Sequence, residues 1–208
     1  MSVQWSVPVA GASIVEFHNI RADRGCRDAL IALPSLAPAL GRFRVADAPD
    51  QMVEVRGFAG MAERRQALTA AAKGPDWRNV RTQRADLVAD ESVHLMRSIA
   101  PQGFRLPPAP RAYVALISEL RFQEQIGNYH LWLRLFLRKA GMDPLASFAT
   151  LEAENDVPAV PVRRHRSEHI ALLRYSGGLV PELPLDLLAM LRFPPDMLVL
   201  EPAVAPGG

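Results

Sequence analysis

A chain of 208 residues is long enough for one large domain or two of about 100 residues each. With 49% apolar and 22% charged residues it has the composition of a globular protein, which excludes wholesale disorder. Basic residues outnumber acidic ones by only 24 to 22, and all but two of them are Arg, so the net charge of +2 falls short of the clustered basic face that nucleic-acid binding needs.

The opening MSVQWSVPVAGAS has no basic residue ahead of its apolar letters, and no run reaches the roughly 18 apolar residues of a membrane helix. Cys26 is the only cysteine, so neither an internal disulfide nor a cysteine-based metal site can form within one chain. These features read as a soluble cytoplasmic protein with no membrane or nucleic-acid partner.

In chain order, Ser13 to Ile20 (SIVEFHNI) alternates as a strand, and Cys26, Ala29, Leu30 and Leu33 then recur at helical spacing until Pro34. GRFRVA and QMVEVRGF flank DAPD, where Asp and Pro suit a hairpin loop. GMAERRQALTAAAK places Met61, Leu68, Ala71 and Ala72 on one helical face, and ESVHLMRS supplies a fourth strand. Between these last two lies GPDWRNV. Its Gly and Pro end the helix, and Trp77 is expected to fold its indole back against sheet or helix as an apolar anchor rather than to stack on a ligand. The order is β-α-β-β-α-β, the ferredoxin-like arrangement.

IAPQGFRLPPAPR, from Ile99 to Arg111, holds four prolines and reads as a linker. After it the order repeats. YVALISEL is a strand, and RFQEQIGNYHLWLRLFLRKAG is a helix with Phe122, Ile126, Tyr129, Leu133, Phe136 and Leu137 along one stripe and Gly141 as its stop. LASFATLEA and EHIALLRYS are middle strands joined by the long connector ENDVPAVPVRRHRS; LPLDLLAMLRF gives a short helix and DMLVLEP the last strand. The expected organisation is two α+β domains, residues 12–100 and 112–202, joined by a linker over 101–111.

IVEFHNIRADRG, QMVEVRGFAGMAERRQAL and GPDWRNV, in this order over roughly residues 13 to 98, resemble the NIPSNAP family. Phe17 and His18 stand where that family has Leu and Arg, and Arg24-Gly25 where it has Pro-Gly; the second half matches by architecture only. The resemblance implies an α+β barrel in which two ferredoxin-like sheets face each other with helices outside and a cavity between them. Here one chain carries both halves, and a further homodimer is compatible with that.

Strand alternation then divides each strand into two faces. Val15 and Phe17, Val53 and Val55, and Val93 and Leu95 form an apolar set expected to pack on helices. The mixed set Glu16, His18, Glu54, Arg56 and His94 is expected to converge between the sheets. Carboxylates and imidazoles together can hold a polar ligand or transfer protons; equally, they can pair with one another as a buried structural network. A metal would need a tighter ligand set than His18, His94 and Glu16 offer, so neither metal nor cofactor is expected. His130 reads as a helix-surface or partly buried residue, His165 as part of a solvated basic connector, and His169 as a residue on the cavity side with Ala171 and Leu173.

Two function classes follow: a binder of a small organic molecule between the sheets, with oxygenase- or isomerase-like chemistry by analogy, or a non-enzymatic interaction module. The second would show a filled barrel, salt-bridged polar residues and an exposed apolar patch.

Overall fold

The structure is a computed structural model and describes residues 11–35, 37, 39–99, 104, 106, 112–142, 144–175, 177–178 and 180–203; for Pro75 and Asp76 the backbone alone is described. The first half runs β1 (Ile14–Ala22), α1 (Arg27–Ala32), β2 (Ala39–Val45), β3 (Ala48–Phe58), α2 (Met61–Lys73), α3 (Pro75–Ala85) and β4 (Val88–Ser98). The second runs β5 (Ala112–Glu119), a 3-10 turn (Gln123–Gln125), α4 (Ile126–Lys139), β6 (Pro144–Thr150), β7 (Glu168–Tyr175), α5 (Leu185–Ala189) and β8 (Asp196–Pro202).

The eight strands close into one antiparallel barrel in the order β1-β3-β2-β8-β5-β7-β6-β4. Each half contributes the same internal order, β4-β1-β3-β2 and β8-β5-β7-β6, so the chain is a tandem of ferredoxin-like units. The two sheets are joined along both edges. Phe43, Arg44 and Val45 of β2 pair with Pro202, Glu201 and Leu200 of β8, and Met96 to Ser98 of β4 pair with Thr150 to Phe148 of β6. Closure removes the unpaired strand edges that either half alone would expose.

Side chains from all eight strands fill the barrel, among them Val15, Phe17, Phe43, Val55, Met96, Tyr113, Phe148, Leu172 and Leu200. Phe17 and Phe104 meet Phe148 with ring centroids 5.1 and 5.0 Å apart in steep edge contacts, and Phe43 meets Tyr113 at 5.5 Å. Gly41 and Gly57 make this filling possible, since a Cβ on either would come within 2.6 Å of Phe43 or Leu40. The helices lie outside. α2 packs on Ile14, Phe58 and Leu95, α1 on Ile20 and Met52, and α4 with α5 on Val114, Leu116, Ala171 and Leu173.

Several details depart from the sequence reading. GPDWRNV does not merely end a helix: Gly74 closes α2 and caps α3, with Pro75 at its first turn, where a missing N–H costs nothing. Trp77 lies within α3, half-buried and outside the apolar clusters, so it is not a core anchor. Phe122 precedes α4 and is exposed, while Ile126, Tyr129, Leu133 and Leu137 form the buried stripe.

Within the linker, Phe104 pairs with Ala12 (N···O 2.8 Å in both directions) and is buried in the barrel, with Leu106 packed beside it. This part is therefore core rather than spacer. Residues 101–103, 105 and 107–111 of that linker lie outside the described residues. The long connector of the second half lies over the first half. Val157, Val160 and Val162 pack with Leu68 and Leu95, and Val93 donates to the Pro161 carbonyl at 3.0 Å.

Candidate functional site

The alternation expected for the strands holds, and β4 is oriented as expected, with Leu95 out under α2 and His94 in, but in β1 and β3 the two faces are exchanged. Glu16 sits opposite Arg56, and His18 opposite Glu54, in the β1–β3 register; all four share the outward face with Ile14, Ile20, Met52 and Phe58, under the helices. Val15, Phe17, Val53 and Val55 point into the barrel instead. The reason is counter-charge. The outer layer brings in Arg64 from α2, Arg42 from β2 and Asp156 from the connector.

There the charges alternate in a chain. Arg42 Nε donates to Glu54 Oε2 at 2.7 Å and Arg56 Nε to Glu54 Oε1 at 2.6 Å. Arg56 Nη1 lies 3.5 Å from Glu16 Oε2, Arg64 Nε donates to Glu16 Oε1 at 2.7 Å, and Arg64 Nη1 reaches Asp156. Glu16, Glu54, Arg56 and Arg64 are all buried. Burial alone would raise the Glu54 carboxyl, but the charges of Arg56 and Arg42 outweigh it and hold it far below the usual range. Burial likewise opposes the Arg56 cation, and Glu54 with Glu16 more than restores it. Burial lowers His18 against the opposing pull of Glu91, to which Nε2–H donates at 3.2 Å; Arg84 holds the same carboxylate at 2.8 Å, and the two donors bring Glu91 down to about 2. Three acids and three Arg cancel along the Arg42-to-Asp156 chain, so this is a paired structural layer.

His94 separates from the other four. Its register partner is Phe17, which turns it inward, at one end of the barrel. There His94, Asn19, Gln51, Ile117, Asp196 and Leu198, together with Arg163 from the connector, line a cavity of about 300 Å³. His94 Nδ1 lies 2.7 Å from Glu168 Oε2, and both residues are buried. A carboxylate can only accept, so Nδ1 carries the proton of this hydrogen bond and Nε2 is the ring nitrogen turned away from Glu168. Nε2 lies 3.4 Å from Arg163 Nη1, which also stands 3.4 Å from Glu168 Oε1. Burial would raise Glu168, but the His94 hydrogen bond and the nearby Arg163 and Arg166 hold it below its ordinary value.

Sequence reading missed Glu168, Arg163, Asn19 and Gln51. One signal was available: Glu168 alternates with Ile170 and Leu172, and so shares their inward face. Arg163 had none, because a connector's path across a barrel end is not written in local periodicity.

His169 faces α4 with Ala171 and Leu173, not the barrel interior. It is buried, its Nε2 is 3.2 Å from His130 Nδ1, and burial together with His130 lowers it to about 3. Among the described residues no three His, Cys, Asp or Glu side chains are grouped to hold a metal ion, and no helix is long and apolar enough to cross a membrane.

No family model and no curated protein matches the chain. Solved structures do. An anthrone oxidase-like protein superposes with a TM-score of 0.59 at 8% identity, over 92% of this chain and 91% of that one. A candidate monooxygenase from Lactobacillus acidophilus does so with a TM-score of 0.52 at 10% identity, over 93% and 96%. A NIPSNAP-like domain protein from Burkholderia xenovorans aligns with 47% of this chain and 90% of its own, at 20% identity and a TM-score of 0.36. The first two similarities establish the α+β barrel fold across both halves.

Proposed function

We propose that the chain binds a small organic anion or acid at the open end of its barrel and that His94 acts there as a general base. The observation that carries this reading is the His94–Glu168 contact of 2.7 Å beside Arg163, on a cavity of about 300 Å³. That volume is at the low end for ligand pockets, roughly 300–1,000 Å³, and suits a single-ring or shorter molecule.

Glu168 fixes the tautomer and stabilises the imidazolium that forms when Nε2 takes a proton. Arg163 supplies a cation for the resulting carboxylate, enolate or phenolate. Proton removal of this kind opens an isomerase-like reaction, and with dioxygen as a co-substrate to accept the electrons it opens the oxidation of an electron-rich ring; the oxidase-like and monooxygenase descriptions of the fold relatives favour the latter by analogy alone.

The test is an NMR titration of the His94 ring with benzoate and 4-hydroxybenzoate as probes. We expect a saturable shift, lost in Arg163→Ala at unchanged thermal midpoint, and altered pH dependence of binding in His94→Asn, which keeps a donor for Glu168. An unmoved His94 signal in the unaltered chain, or an equal shift in Arg163→Ala, sinks the reading.

A second reading, an interaction module without chemistry, is favoured by a different observation. The barrel beyond this end is filled with rings, Glu54 and Glu16 are each held by two Arg in the charged layer, and α4 exposes Leu131, Trp132 and Leu135.

A further inference from the structure

α4 is apolar on two sides. Ile126, Tyr129, Leu133 and Leu137 bury one stripe against the sheet, as an amphipathic helix should. Yet Leu131, Trp132 and Leu135, on the opposite side, are 59 to 63% exposed, and Leu185 on α5 is 82% exposed. Between α4 and α5 runs a groove of about 600 Å³, lined by Trp132, Leu135, Phe136, Pro184, Leu187 and Met190. Of the seven large apolar side chains most exposed among the described residues, none belongs to the first half, and four, Leu131, Trp132, Leu135 and Leu185, lie on α4 and α5. A contiguous apolar surface beside a groove, confined to one half, marks a contact site.

The sequence of the exposed stripe identifies the occupant. Glu124, Asn128, Leu131, Trp132, Leu135 and Lys139 are all exposed, and their spacings of 4, 3, 1, 3 and 4 read the same in both directions. Glu124 stands in the 3-10 turn ahead of α4; within α4 the steps of 3 and 4 keep to one face, and the adjacent Leu131 and Trp132 flank its midline. An acid stands at one end, a cation at the other, and apolar residues in the middle.

We infer that this face pairs with a second copy of the chain, α4 against α4 and antiparallel, about a two-fold axis passing between Leu131 and Trp132. That axis sets Leu131 against Trp132 of the second copy, Asn128 against Leu135, and Glu124 against Lys139, each pair occurring twice, as a self-complementary interface requires. Parallel pairing would set Glu124 against Glu124 and Lys139 against Lys139. Leu185 then meets the groove of the other copy, extending the contact beyond the two helices towards the roughly 800 Å² per partner of a stable interface. This inference is independent of the reading of His94.

Sedimentation equilibrium of the full chain from about 1 to about 100 μM tests it. We expect a dimer, and a dissociation constant at least tenfold weaker in Trp132→Glu with the thermal unfolding of the monomer retained. Glu124→Lys should weaken the dimer several-fold by opposing Lys139, and Glu124→Lys with Lys139→Glu should restore it. A chain monomeric throughout that range overturns the proposal and leaves the face to another protein. A dimer indifferent to Trp132→Glu, or a charge reversal that fails to restore association, overturns it as well.

Discussion

The outward face of β1 and β3 and that of β5 and β7 occupy equivalent places in the two halves, each between the barrel wall and a helix. They are filled by opposite chemistry. In the first half, Glu16, Glu54 and Arg56 meet Arg42, Arg64 and Asp156. In the second, Val114, Leu116, Ala171 and Leu173 meet the stripe of α4, with Ser118, Tyr129 and the His130–His169 pair as polar contacts. The fold therefore specifies that this layer be buried and satisfied, not what it is made of. The costs of disturbing it should differ accordingly, since breaking a buried ion pair strands a charge, whereas an apolar layer has none to strand.

The largest expected effect is at Arg64, fully buried between Glu16 and Asp156. Arg64→Leu leaves Glu16 with Arg56 alone, at 3.5 Å and without a hydrogen bond. We expect a loss of about 3–5 kcal/mol, read as a fall of roughly 10 °C or more in the thermal midpoint. Replacing both partners, Glu16→Leu with Arg64→Leu, gives the first half an apolar contact like that of the second. The double variant should be more stable than the single one. A single-variant loss under about 1 kcal/mol would mean that the charged layer is hydrated and the contrast between the halves is only apparent.

What the sequence made legible follows the same contrast. Period-two alternation in β1, β3 and β4 and the α4 stripe were readable because each side chain's direction is local. Which face of the first half looks inward was not readable, because both faces are buried and the usual rule of apolar in and polar out does not apply. The partners that settle it lie 48 residues away from Glu16 in the case of Arg64, and a further 92 away in the case of Asp156. His94 was singled out correctly as an ionisable residue in a strand, yet grouped with the wrong neighbours, since its Glu168 contact crosses from one half to the other. α3 escaped notice because among its described side chains only Val80 is buried, which leaves no apolar period to detect.

A smaller effect distinguishes the second half by pH. Burial first, and then His130, depress His169 from 6.5 to about 3. The unfolded chain therefore binds a proton that the folded one refuses. The contribution to stability is complete above the free value of 6.5 and is lost as pH falls from there toward 3. At about 1.4 kcal/mol per unit, that is about 2 kcal/mol between about pH 6.5 and about pH 5. His18, also depressed by burial, acts in the same direction from the first half. The informative quantity is thus a difference: His169→Gln should flatten the dependence of the denaturation midpoint on pH by roughly that amount. An unchanged slope would mean that His169 is already accessible to protons in the fold.

The smallest expected effect is the sharpest check on the comparison, because it removes a buried polar contact that carries no charge. Ser118 Oγ and Tyr129 OH lie 2.7 Å apart, both fully buried between β5 and α4, and burial raises the phenol to about 12, so it remains neutral at any ordinary pH. Tyr129→Phe keeps the ring that packs edge-on against His169 at 5.4 Å and deletes only the hydroxyl. A neutral hydrogen bond is worth about 1 kcal/mol net, so we expect a loss of about 1 kcal/mol in urea denaturation. Adding Ser118→Ala should cost little more, because the orphaned hydroxyl goes with it. If Tyr129→Phe instead costs as much as Arg64→Leu, burial rather than charge sets the penalty, and the two halves respond alike despite their different chemistry.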